Sequence, residues 1–272
     1  MNAGKGPVRA VVLAVGAACV LTLAAAAAGC GDGSAEAREK EEPPELTIFV
    51  YDRSGSIADH QLARAQDLTG GRVLELGHGD RIVAMQVLEA SRDEPGRRWS
   101  QIVPEREYPD VRADADSLAR VRFLRDARDY MRSFTDTASR ETVNATDLLS
   151  TMHDVAAELR AHENHRSTLY LFSDMLQANR RLNFEEPGRR PPLEWVERAN
   201  SEATLPDLEG LCVVVTGGRV DTGAGQAVRE FWQRYFEAAG AELQPDNYRY
   251  RFVRLPVHPC GRTAPAPAEA SE

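Results

Sequence analysis

The amino-acid sequence predicts an α/β fold: a doubly wound, mostly parallel six-stranded sheet with helices on both faces and one antiparallel edge strand. Three observations predict it. Short β-rich apolar runs recur along the chain, and the clearest are nearly continuous rather than alternating, as strands covered on both faces must be. Segments with apolar residues at helical spacing separate most of them, which implies parallel pairing through crossovers. Only the link at Asp93-Glu94-Pro95-Gly96 is short and turn-rich enough for a hairpin, hence one antiparallel edge strand.

The elements follow in order. Leu46 to Tyr51 is the first strand, and Ile57 to Leu76 a helix ended by Gly77 and Gly79. Arg81 to Ala90 and Trp99 to Val103 are the next strands. Ser117 to Phe134 places Val121, Leu124, Ala127, Met131 and Phe134 at helical spacing. Asp147 to Arg160 is a helix with Leu148, Met152, Val155 and Leu159 on one face. Leu169 to Phe172 and Leu211 to Val215 are buried strands. Gln226 to Ala239 is an amphipathic helix through Val228, Trp232 and Tyr235. Tyr248 to Leu255 is the last strand, stopped by Pro256 and Pro259.

The folded domain therefore spans residues 45–260. Residues 1–29 read as an export signal, with Lys5 and Arg9 ahead of an apolar run from Ala10 to Gly29. Ala28-Gly29-Cys30 resembles the bacterial lipobox, which implies cleavage before Cys30 and lipidation of its thiol. An uncleaved anchor and ordinary cleavage are the alternatives, and all three export the chain to the bacterial envelope. Residues 30–44 are then a polar, acidic tether, and 261–272, with its Ala-Pro repeats, a disordered tail.

Composition narrows the function. The 272 residues are 42% hydrophobic, too apolar for wholesale disorder. The formal charge of −9 becomes −11 once Lys5 and Arg9 leave, and such a chain lacks the positive field that nonspecific nucleic-acid binding needs. Lys5 and Lys40 are the only lysines, and the arginines are scattered along the chain. Of four cysteines, Cys19 leaves with the signal and Cys30 carries lipid. Cys212 and Cys260 remain as a pair in an oxidising compartment, which reads as a disulfide. The other reading is a buried Cys212 and a free Cys260. If the last two strands are parallel, a bridge requires the chain to double back after Pro256.

Sites in such sheets lie at the carboxyl ends of strands. Three loops carry oxygen ligands there: Asp52-Arg53-Ser54-Gly55-Ser56, Asn144-Ala145-Thr146-Asp147 and Ser173-Asp174. Carboxylates and hydroxyls without His or Cys suit Mg²⁺, Mn²⁺ or Ca²⁺. Each loop alone has a plainer reading: Ser56 or Thr146 capping a helix, Asp174 ending a strand. Together, at the right strand ends, they read as one site.

With those five residues the chain resembles the von Willebrand factor type A domain over roughly residues 45–257. Its metal-ion-dependent adhesion site has Asp-x-Ser-x-Ser after the first strand, a separate threonine and a later aspartate. Asp52, Ser54, Ser56, Thr146 and Asp174 stand at those places. The resemblance implies a Rossmann-like sheet, direct metal contacts from the serines and the threonine, and aspartates acting mainly through water. One coordination position stays open for a carboxylate from a protein partner. It implies binding rather than catalysis. The chain departs from the family at Asn144-Ala145, often Gly-Gly, and at Met175, often Gly; both bear on loop shape rather than on the ligand atoms. Arg53, Asp59, His60, Asp147, Met175 and Gln177 are neighbours that tune partner choice or serve as ordinary rim residues.

Other signals point nowhere further. Asn144-Ala145-Thr146 fits a glycosylation acceptor, which a bacterial lipobox makes irrelevant. His162-Glu163-Asn164-His165 has one residue too few for a helical zinc motif and reads as a solvated helix end. Gly217-Gly218 and Gly223-Ala224-Gly225 lack Gly-Lys-Ser/Thr and read as a flexible connection. No Gly-x-Ser-x-Gly is present. Two other functions stay open. One is a Mg²⁺-dependent phosphohydrolase with Asp52 attacking phosphorus, although position 54 lacks the second acid. The other is a structural lipoprotein with an unused pocket.

Overall fold

Residues 45–51 alternate strictly between two environments, and that alternation builds the protein. The strand β1 (Glu45–Tyr51) is buried throughout. Its Leu46, Ile48 and Val50 join an aliphatic layer, while Phe49 and Tyr51 join an aromatic one. The computed structural model describes residues 43–87, 98–105, 113–138, 146–179, 182–220, 222–257 and 259–260. The export signal, Cys30, the tether up to residue 42, Asp93–Gly96, Asn144-Ala145 and the tail 261–272 lie outside the described residues.

The same two-sided burial recurs in β2 (Arg81–Gln86), β4 (Arg166–Phe172) and β5 (Cys212–Thr216). With β3 (Arg98–Ile102) and β6 (Tyr248–Arg249) they form one sheet in the order β3-β2-β1-β4-β5-β6. All pairings are parallel except β2 with β3, the edge strand. The predicted fold class is the observed one.

Helices cover both faces. On the aromatic side lie α1 (Asp59–Val73) and α2 (Ala113–Ala138), through Leu62, Ala65, Leu124, Ala127 and Met131. On the aliphatic side lie α3 (Leu148–Ala161), α4 (Leu193–Ser201) and α5 (Gly223–Ala238), through Met152, Val155, Val196, Phe231 and Trp232.

Several boundaries differ from the sequence reading. The strand expected over Tyr248–Leu255 is only two residues long, because β5 ends at Thr216 and Gly217 (φ +103°) turns the chain away. The residues beyond serve the aromatic face instead. Phe252 stacks on Phe172, Leu255 is buried, and the Tyr170 hydroxyl donates to the Pro256 carbonyl. That return path brings Cys260 to the start of β5, where it is bonded to Cys212 with 5.6 Å between α-carbons. At the same pole, buried Arg72 donates to Glu45 and to the Tyr170 hydroxyl, joining α1, β1 and β4.

Gly223-Ala224-Gly225 is no flexible connection. It is the first turn of α5, capped by the Thr222 hydroxyl accepting from the Gly225 N–H at 3.0 Å. A Cβ on Gly225 would lie 3.0 Å from the Arg219 carbonyl, so glycine lets the preceding loop close onto the helix. His162 ends α3 as its C-cap, as expected, and Glu163 and Asn164 are exposed, but His162 itself is half-buried against Glu158 and the His165 ring.

Candidate metal centre

The strand order reverses between β1 and β4. The chain runs outward from β1 to β3, then crosses to β4 and runs outward the other way. The loops leaving β1 and β4 therefore part to opposite sides and open a crevice at their carboxyl ends. Asp52 follows β1 and Asp174 follows β4, so both sequence-predicted acids stand at this point.

Local hydrogen bonding shapes the first loop. The Asp52 N–H donates to the Phe172 carbonyl at 2.9 Å, fixing the loop to the end of β4. Its Oδ1 accepts from the Ser54 N–H at 2.9 Å, an Asx-type turn that aspartate favours. The Ile57 N–H then donates to the Ser54 carbonyl, and the Ser54 and Ser56 hydroxyls share a hydrogen bond of 2.8 Å. Neither serine caps α1: the N-cap is Ala58, whose N–H donates to the Gln61 side chain.

The second loop is tied to the first by Ser173, which sequence reasoning passed over as a site residue. Its hydroxyl donates to Asp52 Oδ2 at 2.6 Å and accepts from the Met175 N–H at 2.8 Å. Asp174 Oδ1 accepts from the Leu176 N–H, and Oδ2 lies 3.4 Å from the Arg219 guanidinium. Met175, where the family often has glycine, holds the left-handed conformation itself, at φ +67°. Its side chain is fully buried and its carbonyl accepts from the Trp232 indole at 2.8 Å, so the core holds the strained backbone.

Thr146 is held by backbone. It forms an antiparallel bridge with Ala178, four residues past Asp174, through bonds of 2.8 and 2.9 Å. The N-cap of α3 is the next residue, Asp147, whose carboxylate accepts from Ser150, Gln177 and Asn179. Thr146 is thus left without the capping task. Buried Asp147 and Gln177 support the loop from below.

Ser56 and Asp174 line a cleft of about 320 Å³ with Gln61, Arg219, Thr222 and Tyr250. Asp52, Ser54 and Thr146 do not line it. Asp52 is buried, and that burial pushes its carboxyl up to about 6. Repulsion from Asp174 adds to the rise, while hydrogen bonds from Ser173 and Ser54 oppose it. The Tyr248 hydroxyl is buried without a hydrogen-bond partner among the described residues; burial first, then Asp174, raises its pKa.

The donor chemistry fits a hard divalent cation. Two acids and three hydroxyls are hard oxygen donors, and positive charge beside Asp52 would offset the burial of its carboxylate and its repulsion from Asp174. Among the described residues no three His, Cys, Asp or Glu side chains gather round one point.

Comparisons with known proteins add little. No family profile matches the sequence, and no curated protein does. Solved structures similar to the chain include proximal thread matrix protein 1 from the mussel byssus (12% identity, covering 73% of this chain and 47% of that one, TM-score 0.38). They also include a von Willebrand factor type A protein from Catenulispora acidiphila (11%, 74% and 44%, TM-score 0.35). A third is the manganese-loaded TRAP protein of Plasmodium vivax (13%, 78% and 70%, TM-score 0.31). The chain spans less than half the length of the first two. Likeness at this level adds no weight to a family assignment.

Proposed function

We propose that this protein is a divalent-cation-dependent protein-binding module resembling the von Willebrand factor type A domain, tethered by an N-terminal lipid in the bacterial envelope. The observation that carries the reading is the Ser173 bridge. One hydroxyl joins the Asp52 loop to the Asp174 loop at the switch point, and both acids stand where the family's metal-binding aspartates stand in the sequence.

Asp52, Ser54, Ser56, Thr146 and Asp174 are the proposed ligand set, for Mg²⁺ first and for Mn²⁺ or Ca²⁺ as alternatives. A bound cation would supply Lewis acidity at an open coordination position. The chain's own groups orient it: Ser173 and the Ser54 N–H fix the Asp52 carboxylate, and the Thr146–Ala178 bridge sets the threonine loop. Few charged ligands leave the cation attractive to a carboxylate on a protein partner.

The reading is non-catalytic. Both Asp52 oxygens accept hydrogen bonds and the residue is almost wholly buried, which opposes its use as a nucleophile on phosphorus. Calorimetric titration with Mg²⁺ and Mn²⁺ tests the proposal. Asp52→Ala and Thr146→Ala should abolish binding and leave the circular dichroism spectrum unchanged. Unaltered binding in both variants would overturn it.

A further inference from the structure

Cation binding alone leaves the cleft beside Asp174 unexplained. Its wall carries the Arg219 guanidinium, the hydroxyls of Ser56, Thr222 and Tyr250, and the Gln61 amide, all able to donate to an anion. Among the described residues that line it, Asp174 is the one acid. The cleft also meets the amino end of α5 at its N-cap Thr222, where the helix dipole favours negative charge. About 320 Å³ is ample for an acidic side chain.

Arg219 is placed to change partners. The backbone at its base is packed against Gly225 of α5, while its side chain is 46% exposed. Its contact with Asp174 is a single N–H at 3.4 Å, longer than the roughly 2.7–2.9 Å of a strong charge-assisted hydrogen bond. The half-exposed guanidinium is therefore held only weakly by Asp174.

We propose that this cleft receives a second acidic side chain of the bound protein segment, with Arg219 as its receptor. The inference rests on the cation-dependent reading above. A divalent cation held by the proposed ligand set would neutralise the Asp174 carboxylate, and the Arg219 guanidinium would then be available to a second acid of the ligand. The favoured ligand is an acidic segment with two neighbouring carboxylates, one for the cation and one for Arg219. Reciprocity then requires that cation and diacid strengthen each other's binding.

Calorimetry on the full chain tests this with Mn²⁺ alone, and then with glutarate and acetate on the Mn²⁺-saturated protein. Arg219→Gln removes a competing cation and should bind Mn²⁺ about threefold to tenfold more tightly. Wild type should prefer glutarate over acetate severalfold. Arg219→Lys should keep part of that preference and Arg219→Gln should lose it. Equal Mn²⁺ affinity in wild type and Arg219→Gln, or a glutarate preference absent from wild type or surviving that change, would overturn the inference. Failure of every variant to bind Mn²⁺ would give a different pattern, and would overturn the cation reading together with this one.

Discussion

Asp52 concentrates the electrostatic cost of the site in one carboxylate. Its proton is held to about pH 6 in the native state, against a value near 3.8 for an unhindered aspartate. The native state thus binds this proton more tightly than the unfolded chain. The stability it contributes is complete below about pH 4 and is lost as pH rises through 6, a change on the order of 2–3 kcal/mol. In EDTA, urea denaturation at pH 4.5 and 7 should show that part of the wild-type pH dependence disappearing in Asp52→Asn. At neutral pH the variant should be at least as stable as wild type, yet show no cation-induced shift. A variant with the wild-type pH dependence would remove Asp52 as its source. Met175 stores strain of another kind. Glycine there would relieve a left-handed backbone worth about 1–3 kcal/mol but empty a buried position worth about 2–5 kcal/mol. Met175→Gly should therefore lower stability by about 1–2 kcal/mol; a rise would show that strain outweighs packing. The two acids were legible in the sequence because they end apolar runs. Ser173 and Arg219 were not, since the role of Ser173 exists only once β1 and β4 lie side by side, and that of Arg219 only once β4 and β5 do.

At the scale of elements, continuous apolar runs announced β1, β4 and β5, and the Pro-Gly link announced the edge strand. The helix α4 went unread because its nine residues bury only Val196 and Ala199 behind a proline-rich stretch that resembles a loop. The final strand was over-read, because Tyr248, Tyr250 and Phe252 alternate with arginines as a strand would, while Phe252 and Leu255 cover the aromatic face. That segment is held at its far end by the Cys212–Cys260 bond. Closing a loop across a separation of 48 residues is worth about 2–4 kcal/mol, chiefly through the unfolded chain. The Cys212→Ala/Cys260→Ala protein should lose about that much in chemical denaturation. It should also expose Tyr170 and Phe252 to near-ultraviolet change, since their cover is loosened. Unchanged stability would mean that packing alone holds the segment.

The described domain is built on one sheet with two differently furnished faces, and the proposed cation would act on its global stability by mass action. A ligand at a hundred times its dissociation constant adds about 2.7 kcal/mol to the folded state. For a domain of this size that is a rise of roughly 5–10 °C in melting temperature over EDTA. Differential scanning calorimetry with millimolar Mg²⁺, Mn²⁺ and Ca²⁺ measures it. A flat response to all three would favour a structural lipoprotein with an unused pocket.

The sheet is also directional, and both ends of the domain leave from the same side of it. Glu45 opens β1, and Cys260 is fastened beside the first residue of β5. The cleft lies past the opposite ends of the strands, about 23 Å away along the seven residues of β1. The domain can thus be held at residue 44 or at Cys260 without covering the cleft. Immobilising it through residue 44 on a sensor chip should leave the cleft as accessible as in free solution, whereas a bulky label at Tyr250 should close it.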